Sequence, residues 1–346
     1  LLKNEGTLPL DTDVKNINVF GWDSVNPLFG GVGSGSSDST SCVGILDALH
    51  DAGYATNETL SKIYTDYCAE RPVIATSEQD WTLPEPTQDY YTDEIMDEAK
   101  KFSETAMIVI GRSGGEGADL PTDMKAVIDG TYDIRNTQAI LDIAYDNYHY
   151  TNAQYRNNGD YDDFDAGETY LELSNTEENL VQLVCDNFSN VIVVVNASNP
   201  MELGWVEQYD SIGAVIYAPG TGATGMEALG KIINGSVNPS GKTVDTFVYD
   251  LTTTPYYNNI GNFSYEAEDS LKQQIYEADP SYEGNLSFVN YSEGIYVGYK
   301  FYETAAEEQL ITYEDIVQYP FGYGLSYTEF TQEITDFSVN NNAFMV

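Results

Sequence analysis

Basic side chains are scarce in this chain of 346 residues: 14 Lys and Arg stand against 56 Asp and Glu, a formal net charge of −42. Such a surface repels nucleic acid, and no basic stretch offers phosphate contacts. An anionic membrane face is excluded on the same ground, and the charge argues mainly for solubility. Histidine is rarer still: His50 and His149 are the only two, too few for histidine-rich metal chemistry. Cys42, Cys68 and Cys185 are far apart, odd in number and without Cys-x-x-Cys spacing. They indicate neither a disulfide framework nor a zinc site. Cys185, in the apolar run from Leu180, reads as a buried thiol. No apolar run reaches the roughly 18 residues that span a bilayer. A starting methionine and a signal peptide are also missing; the opening Leu1-Leu2-Lys3 reads as a cut, so a longer parent is expected.

What is present is foldable. The chain is 42% hydrophobic and 13% aromatic, well outside the composition of a disordered acidic segment. Its length suits about two domains, or one large α/β domain with insertions. Val14 to Phe20, Ala106 to Ile110, Val191 to Val195 and Gly213 to Tyr217 read as strands, the middle two wholly apolar as in the interior of a parallel sheet. Between them the pattern predicts helices over about Ser41–Ala52, Asn57–Cys68, Thr92–Ser103, Thr137–Tyr145, Pro200–Gln208 and Gly225–Asn234. Another starts at Ser174, where Ser174 and Glu177 form a capping-box pattern. This alternation implies a three-layer α/β/α sandwich with a mostly parallel sheet of about six strands. Ligands of such sheets sit beyond the carboxyl ends of the strands. The glycine-rich stretches after Ile110 and Tyr217, and the turn Asn196–Pro200, are expected along that edge. Residues 121–173 form an insertion rich in Tyr, Asn and Asp, and 252–285 a Tyr-rich excursion. Ile334 to Val339 reads as a strand.

Several motifs invite chemistry. Gly30-Gly-Val-Gly-Ser-Gly-Ser-Ser37 lacks the Lys of a phosphate-binding Walker loop, and nine residues separate Gly31 from Gly21 at the strand's end, too many for a dinucleotide fingerprint. A loop leading into the Ser41 helix is the plain alternative. Gly111-Arg-Ser113-Gly-Gly115 satisfies the G-x-S-x-G pattern of a serine-hydrolase elbow and follows a strand. That reading needs an acid and a histidine after the serine, and His149 is the only downstream candidate. The carboxylates Asp160, Asp162, Asp163 and Asp165 offer oxygen donors for a cation, but the EF-hand positions fail, and a solvated acidic loop is the other reading. The Asn-x-Ser/Thr triplets at Asn57, Asn187, Asn196 and Asn234 are read as products of composition rather than glycosylation sites.

The organising stretch is Val289-Asn-Tyr-Ser-Glu-Gly-Ile-Tyr-Val-Gly-Tyr-Lys-Phe-Tyr302. Gly294 permits tight or left-handed backbone, so Glu293 is expected at a loop tip beside the start of a strand. This segment resembles the acid/base motif of glycoside hydrolase family 3. The opening Leu1–Leu10, the Gly30–Ser37 loop, Gly111–Asp119, Asn238–Phe247 and Tyr319-Pro-Phe-Gly-Tyr-Gly-Leu-Ser-Tyr-Thr328 resemble other segments of that family in the same order. Two departures stand out: Thr243-Val244-Asp245 replaces the usual Leu-Pro, expected to affect only a connection, and Lys300 stands where Arg is common.

The resemblance implies that residues 1–330 are the sandwich domain of a retaining exo-β-glycosidase, with 331–346 the start of a fibronectin type III-like domain. It implies Glu293 as general acid/base, Ser34, Ser36, Tyr291 and Tyr296 as substrate-binding residues, and no cofactor. The attacking aspartate belongs to a (β/α)₈ barrel, for which about 250 further residues are needed. The implied partners are that barrel and a β-linked oligosaccharide or glycoside, a β-glucoside first. Alone, the chain is expected to hydrolyse no aryl glycoside. A non-catalytic carbohydrate-binding module of the same fold is the alternative, and a serine hydrolase using Ser113 a third. Acidity and the implied substrate lean towards a secreted or cell-surface setting.

Overall fold

The computed structural model describes residues 1–31, 33–69, 80–115, 120–132, 153–156, 163–259, 263–264, 268–280, 287–288, 290–329, 331, 333–340 and 343–345. The expected helix over Thr137–Tyr145, His149, Asp160 and Asp162 lie outside them.

At the centre is a six-stranded sheet of order β1-β6-β5-β4-β2-β3. Its members are β1 (Lys3–Asn4), β2 (Asn16–Phe20), β3 (Ala55–Thr56), β4 (Thr105–Arg112), β5 (Asn190–Ala197) and β6 (Ile212–Tyr217). All neighbours pair in parallel except β1, which runs antiparallel to β6 with Lys3 opposite Val215. The two apolar runs seen in the sequence are the middle strands: β4 and β5 pair over eight residues, from Thr105↔Asn190 to Arg112↔Ala197. Because side chains alternate across a strand, each strand feeds both faces. Ala106, Ile108, Ile110, Val191, Val193 and Val195 join one buried cluster, and Met107, Val109, Ile192 and Val194 the other.

Helices cover both faces. On the first lie α2 (Glu58–Ala69), α3 (Asp93–Phe102) and α5 (Asn175–Asn187), through Leu60, Tyr64, Met96, Ala99, Leu180, Val181 and Val184; on the second lie α1 (Ile45–Asp51) and α6 (Glu227–Ile233), through Ile45, Leu49, Leu229 and Ile233. The short α4 (Met124–Ile128) buries Met124 and Val127. The expected sandwich is therefore present, three layers deep. Among the described residues no helix is long and apolar enough to cross a membrane.

Local signals explain the boundaries. Ser174 caps α5 through its Oγ to the Glu177 N–H, and the Glu177 carboxylate returns to the Ser174 N–H, the expected reciprocal box. Thr92 caps α3 through the Ile95 N–H. α1 starts from Gly44 without a side-chain cap, so the loop serines do not cap it. The helix expected over Pro200–Gln208 is only a 3₁₀ turn at Gly204–Glu207. Over 201–204 burial alternates, with Met201 and Leu203 buried and Glu202 and Gly204 not, a strand-like period of two rather than a helical one. Cys185 is half-buried rather than buried.

The second half is built from smaller pieces. Phe247–Val248 pairs antiparallel with Val317–Tyr319, α7 spans Glu268–Ala278 and α8 spans Tyr299–Glu307. Ser338–Asn340 and Ala343–Met345 form a hairpin, so the strand read over Ile334–Val339 begins only at Ser338.

Candidate active site at the carboxyl edge of the sheet

The loops leaving β2, β4, β5 and β6 meet at one edge, and Asn196 near the end of β5 ties three of them together. Its side chain is fully buried. Its Oδ1 accepts the Leu28 N–H at 2.7 Å, and its Nδ2 donates to the carbonyls of Leu28 (3.1 Å) and Ala218 (2.7 Å). The Asn-x-Ser triplet here is thus structural. The end of β4 is fixed by Arg112, whose Nε donates to Tyr170 O and whose other nitrogens bond Gly111 O, Glu172 O and both oxygens of Glu177. The next residue, Ser113, is buried with its N–H towards the Tyr170 hydroxyl. His50 bonds Thr56 at 2.9 Å and so gives Ser113 no base.

Buried carboxyls accumulate behind this edge. Burial, then repulsion by Glu177, holds Asp23 well above the usual carboxylate range; Glu85 is raised in the same way despite the Trp22 N–H it accepts. Asp163 is also buried: it accepts the Thr176 N–H (2.9 Å) and the hydroxyls of Thr176 (2.6 Å) and Tyr155 (2.5 Å). Asp165 is exposed, and its N–H bonds Glu168. The two described aspartates of the expected cation cluster therefore serve different partners, and among the described residues no three acid, His or Cys side chains converge on an ion position.

Two depressions open at the edge. A glycine-lined one of about 530 Å³ is bounded by Phe29, Gly30, Gly35, Gly114, Asn199 and Gly220. A Cβ at Gly114 would stand 2.4 Å from Asn199 Oδ1, so a side chain there would have to displace that amide. Gly35 and Ser37 line it, whereas the expected Ser34 and Ser36 are exposed beside it.

The larger depression, about 590 Å³, shares Asn199 with the first and holds Glu293. Its polar lining includes Asp245, Tyr256, Tyr257, Asn259, Asn290 and Tyr291. Glu293 is half-buried on a tight turn: the Gly294 N–H returns to Tyr291 O at 3.1 Å, and the Tyr296 N–H to Glu293 O at 2.9 Å. Gly294 has φ +58°, as the sequence anticipates. Asn259 Nδ2 donates to Ser292 Oγ at 2.6 Å, joining this turn to the Tyr-rich excursion. Tyr256 lies within the fields of Asp245 and Glu293, which add to partial burial in raising its hydroxyl; Tyr302, raised first by burial, also feels Tyr256 and Glu293.

The expectation of a strand after Glu293 is overturned. The alternating run becomes turns and then α8: Gly294 and Gly298 both take positive φ, and among the described residues no strand pairs with the segment. From Tyr299 the burial repeat is helical, with Tyr302 and Ala305 inward. Of the expected substrate contacts, Tyr291 joins Glu293 in the lining and Tyr296 does not. Asp245, expected to matter only for a connection, and the Tyr256–Tyr257 pair were missed as site residues. The departure at Thr243-Val244-Asp245 was the visible signal for Asp245, and the Tyr-rich composition of 252–285 the signal for the tyrosines.

Residues 1–299 match the family profile described as the glycosyl hydrolase family 3 C-terminal domain. The chain belongs to that family. Among curated proteins it is 29% identical to a beta-glucosidase of Ruminococcus albus, over 95% of this chain and 27% of that protein. It is 30% identical to beta-glucosidase A of Butyrivibrio fibrisolvens, over 96% of this chain and 34% of that protein. Among solved structures, a beta-glucosidase from Paenibacillus barengoltzii superposes with TM-score 0.65 at 27% identity, covering 98% of this chain and 29% of that one. Beta-glucosidase 3B of Thermotoga neapolitana, in complex with glycerol, gives 0.66 at 25% identity, over 98% and 38%. This family 3 domain therefore spans about a third of the length of the proteins it resembles.

Proposed function

We propose that this domain is one half of a retaining β-glucosidase active site and that Glu293 is its general acid/base. The observation that carries the reading is the position of Glu293: half-buried, on a glycine turn, lining a polar and aromatic cavity at the carboxyl edge of the sheet. The beta-glucosidase names of the relatives support the substrate class. In this reading an aspartate from a (β/α)₈ barrel elsewhere in the parent attacks the anomeric carbon, while Glu293 protonates the departing glycosidic oxygen. Glu293 then takes a proton from the water that releases the covalent glycosyl-enzyme, with the two carboxyls roughly 5 Å apart. Tyr256, Tyr257 and Tyr291 supply aromatic faces for sugar or aglycone, and Asn259 and Asn290 supply amides. Beside Glu293, Ile295 is 76% and Val297 58% exposed. An apolar rim of this kind suits cover by another domain.

The test is Glu293→Ala in the full-length parent. Glycosides with poor leaving groups should lose about a hundredfold or more in kcat/KM, activated aryl glycosides far less. Equal losses on both would remove Glu293 from the acid role.

A further inference from the structure

Glu202 stands in the loop after β5 and grips both walls of the Glu293 cavity. Its main-chain N–H donates to Leu171 O at 3.1 Å, and its carboxylate accepts the Leu251 N–H at 2.5 Å. Leu171 and Leu251 both line that cavity, from opposite sides of the sequence. From Leu251 successive backbone turns lead along the chain to Asn259 and so to the acid/base turn. Thr254 N–H returns to Leu251 O (3.1 Å), Tyr257 N–H to Thr254 O (3.3 Å) and Asn259 N–H to Tyr256 O (2.8 Å), and the Asn259 amide then holds Ser292.

We propose that Glu202 is a positioning residue for Glu293, clamping the 251–259 turns against the 169–172 segment so that Ser292 and Glu293 stand at a fixed place over the cavity. This rests on the acid/base reading of Glu293. Glu202 lines no substrate space itself and acts through Leu251. The charged groups facing it are Glu172 and Asp250, one from each segment it joins. Burial first, and then those two carboxylates, raise Glu202 to about 7 against the pull of the Leu251 N–H. The clamp thus changes between a neutral and a charge-assisted bond near neutral pH.

The test compares Glu202→Ala and Glu202→Gln in the full-length parent enzyme. A misplaced acid should cost Glu202→Ala about tenfold to a hundredfold in kcat on glycosides with poor leaving groups, with KM little changed and activated substrates less affected. Glu202→Gln keeps an acceptor for the Leu251 N–H, so it should recover kcat to within about threefold and lose the titration near 7 from its pH profile. Amide exchange in peptides covering 249–257 and 290–296 should quicken in Glu202→Ala and stay slow in Glu202→Gln. Unchanged kcat, a loss that Gln does not restore, or unchanged exchange in those peptides would overturn the proposal. Glu293→Ala run alongside judges the acid/base reading separately: should that residue prove dispensable, the exchange data still decide the clamp.

Discussion

The end of β4 and the turn at Glu293 hold their charged side chains in opposite ways. Arg112 has all five N–H donors taken, is fully buried, and shares Glu177 with the cap of α5. Glu293 is half-buried on a turn closed by its own backbone, with a tie from Asn259 to Ser292. The first region is a frame that must not move. The second is a half-buried group presented at the open rim of a depression. Burial satisfied by many partners gives rigidity, and exposure with few partners leaves free energy for events that occur only when the site is complete.

The contrast can be broken most forcefully at Glu177. Glu177→Ala leaves Arg112 buried without its carboxylate and strips the α5 cap, and should cost about 3–5 kcal/mol in chemical denaturation. A loss under about 1 kcal/mol would mean that the frame lies elsewhere. Asn196→Ala should follow at about 1–3 kcal/mol, because partly buried backbone groups of Leu28 and Ala218 lose their partner.

A third effect is a pH dependence with a definite sign. The carboxyls of Asp23, Glu85, Asp163 and Glu202 are all raised by burial, so the folded chain holds their protons more tightly than the unfolded one. Their contribution is fully present below the ordinary carboxylate value of about 4 and is lost as pH rises through the raised values, near 7 for Glu202. Melting temperature should therefore fall between about pH 5 and pH 8, and Glu85→Gln should flatten the fall. A melting temperature that rises over that interval would contradict the burial argument. At the rim the smallest effect is expected: Ser292→Ala should stay within about 0.5 kcal/mol of the parent chain. A larger loss would make the turn part of the frame.

The sequence carries the frame through local signals. β4 and β5 are legible as unbroken apolar runs, and α5 by its box at Ser174 and Glu177. Glu293 is legible through its motif and the glycine after it. What stays hidden depends on distant meetings. Arg112 and Glu177 are 65 positions apart, and nothing local says that a capping glutamate also neutralises a buried arginine. Asp245, Tyr256 and Tyr257 line the cavity on either side of Phe247–Val248, which pairs with the distant Val317–Tyr319. The run after Gly294 alternates like a strand yet pairs with no strand among the described residues, and its glycines and the burial of Tyr302 and Ala305 go with turn and helix.

The most direct measurement is the product formed when the parent enzyme carrying Glu293→Ala turns over an activated aryl β-glucoside in the presence of azide. A retaining site that has lost its acid/base should be rescued and release β-glucosyl azide, because the small anion enters on the face Glu293 has vacated. No rescue, or an α-configured azide, would contradict the role assigned to Glu293.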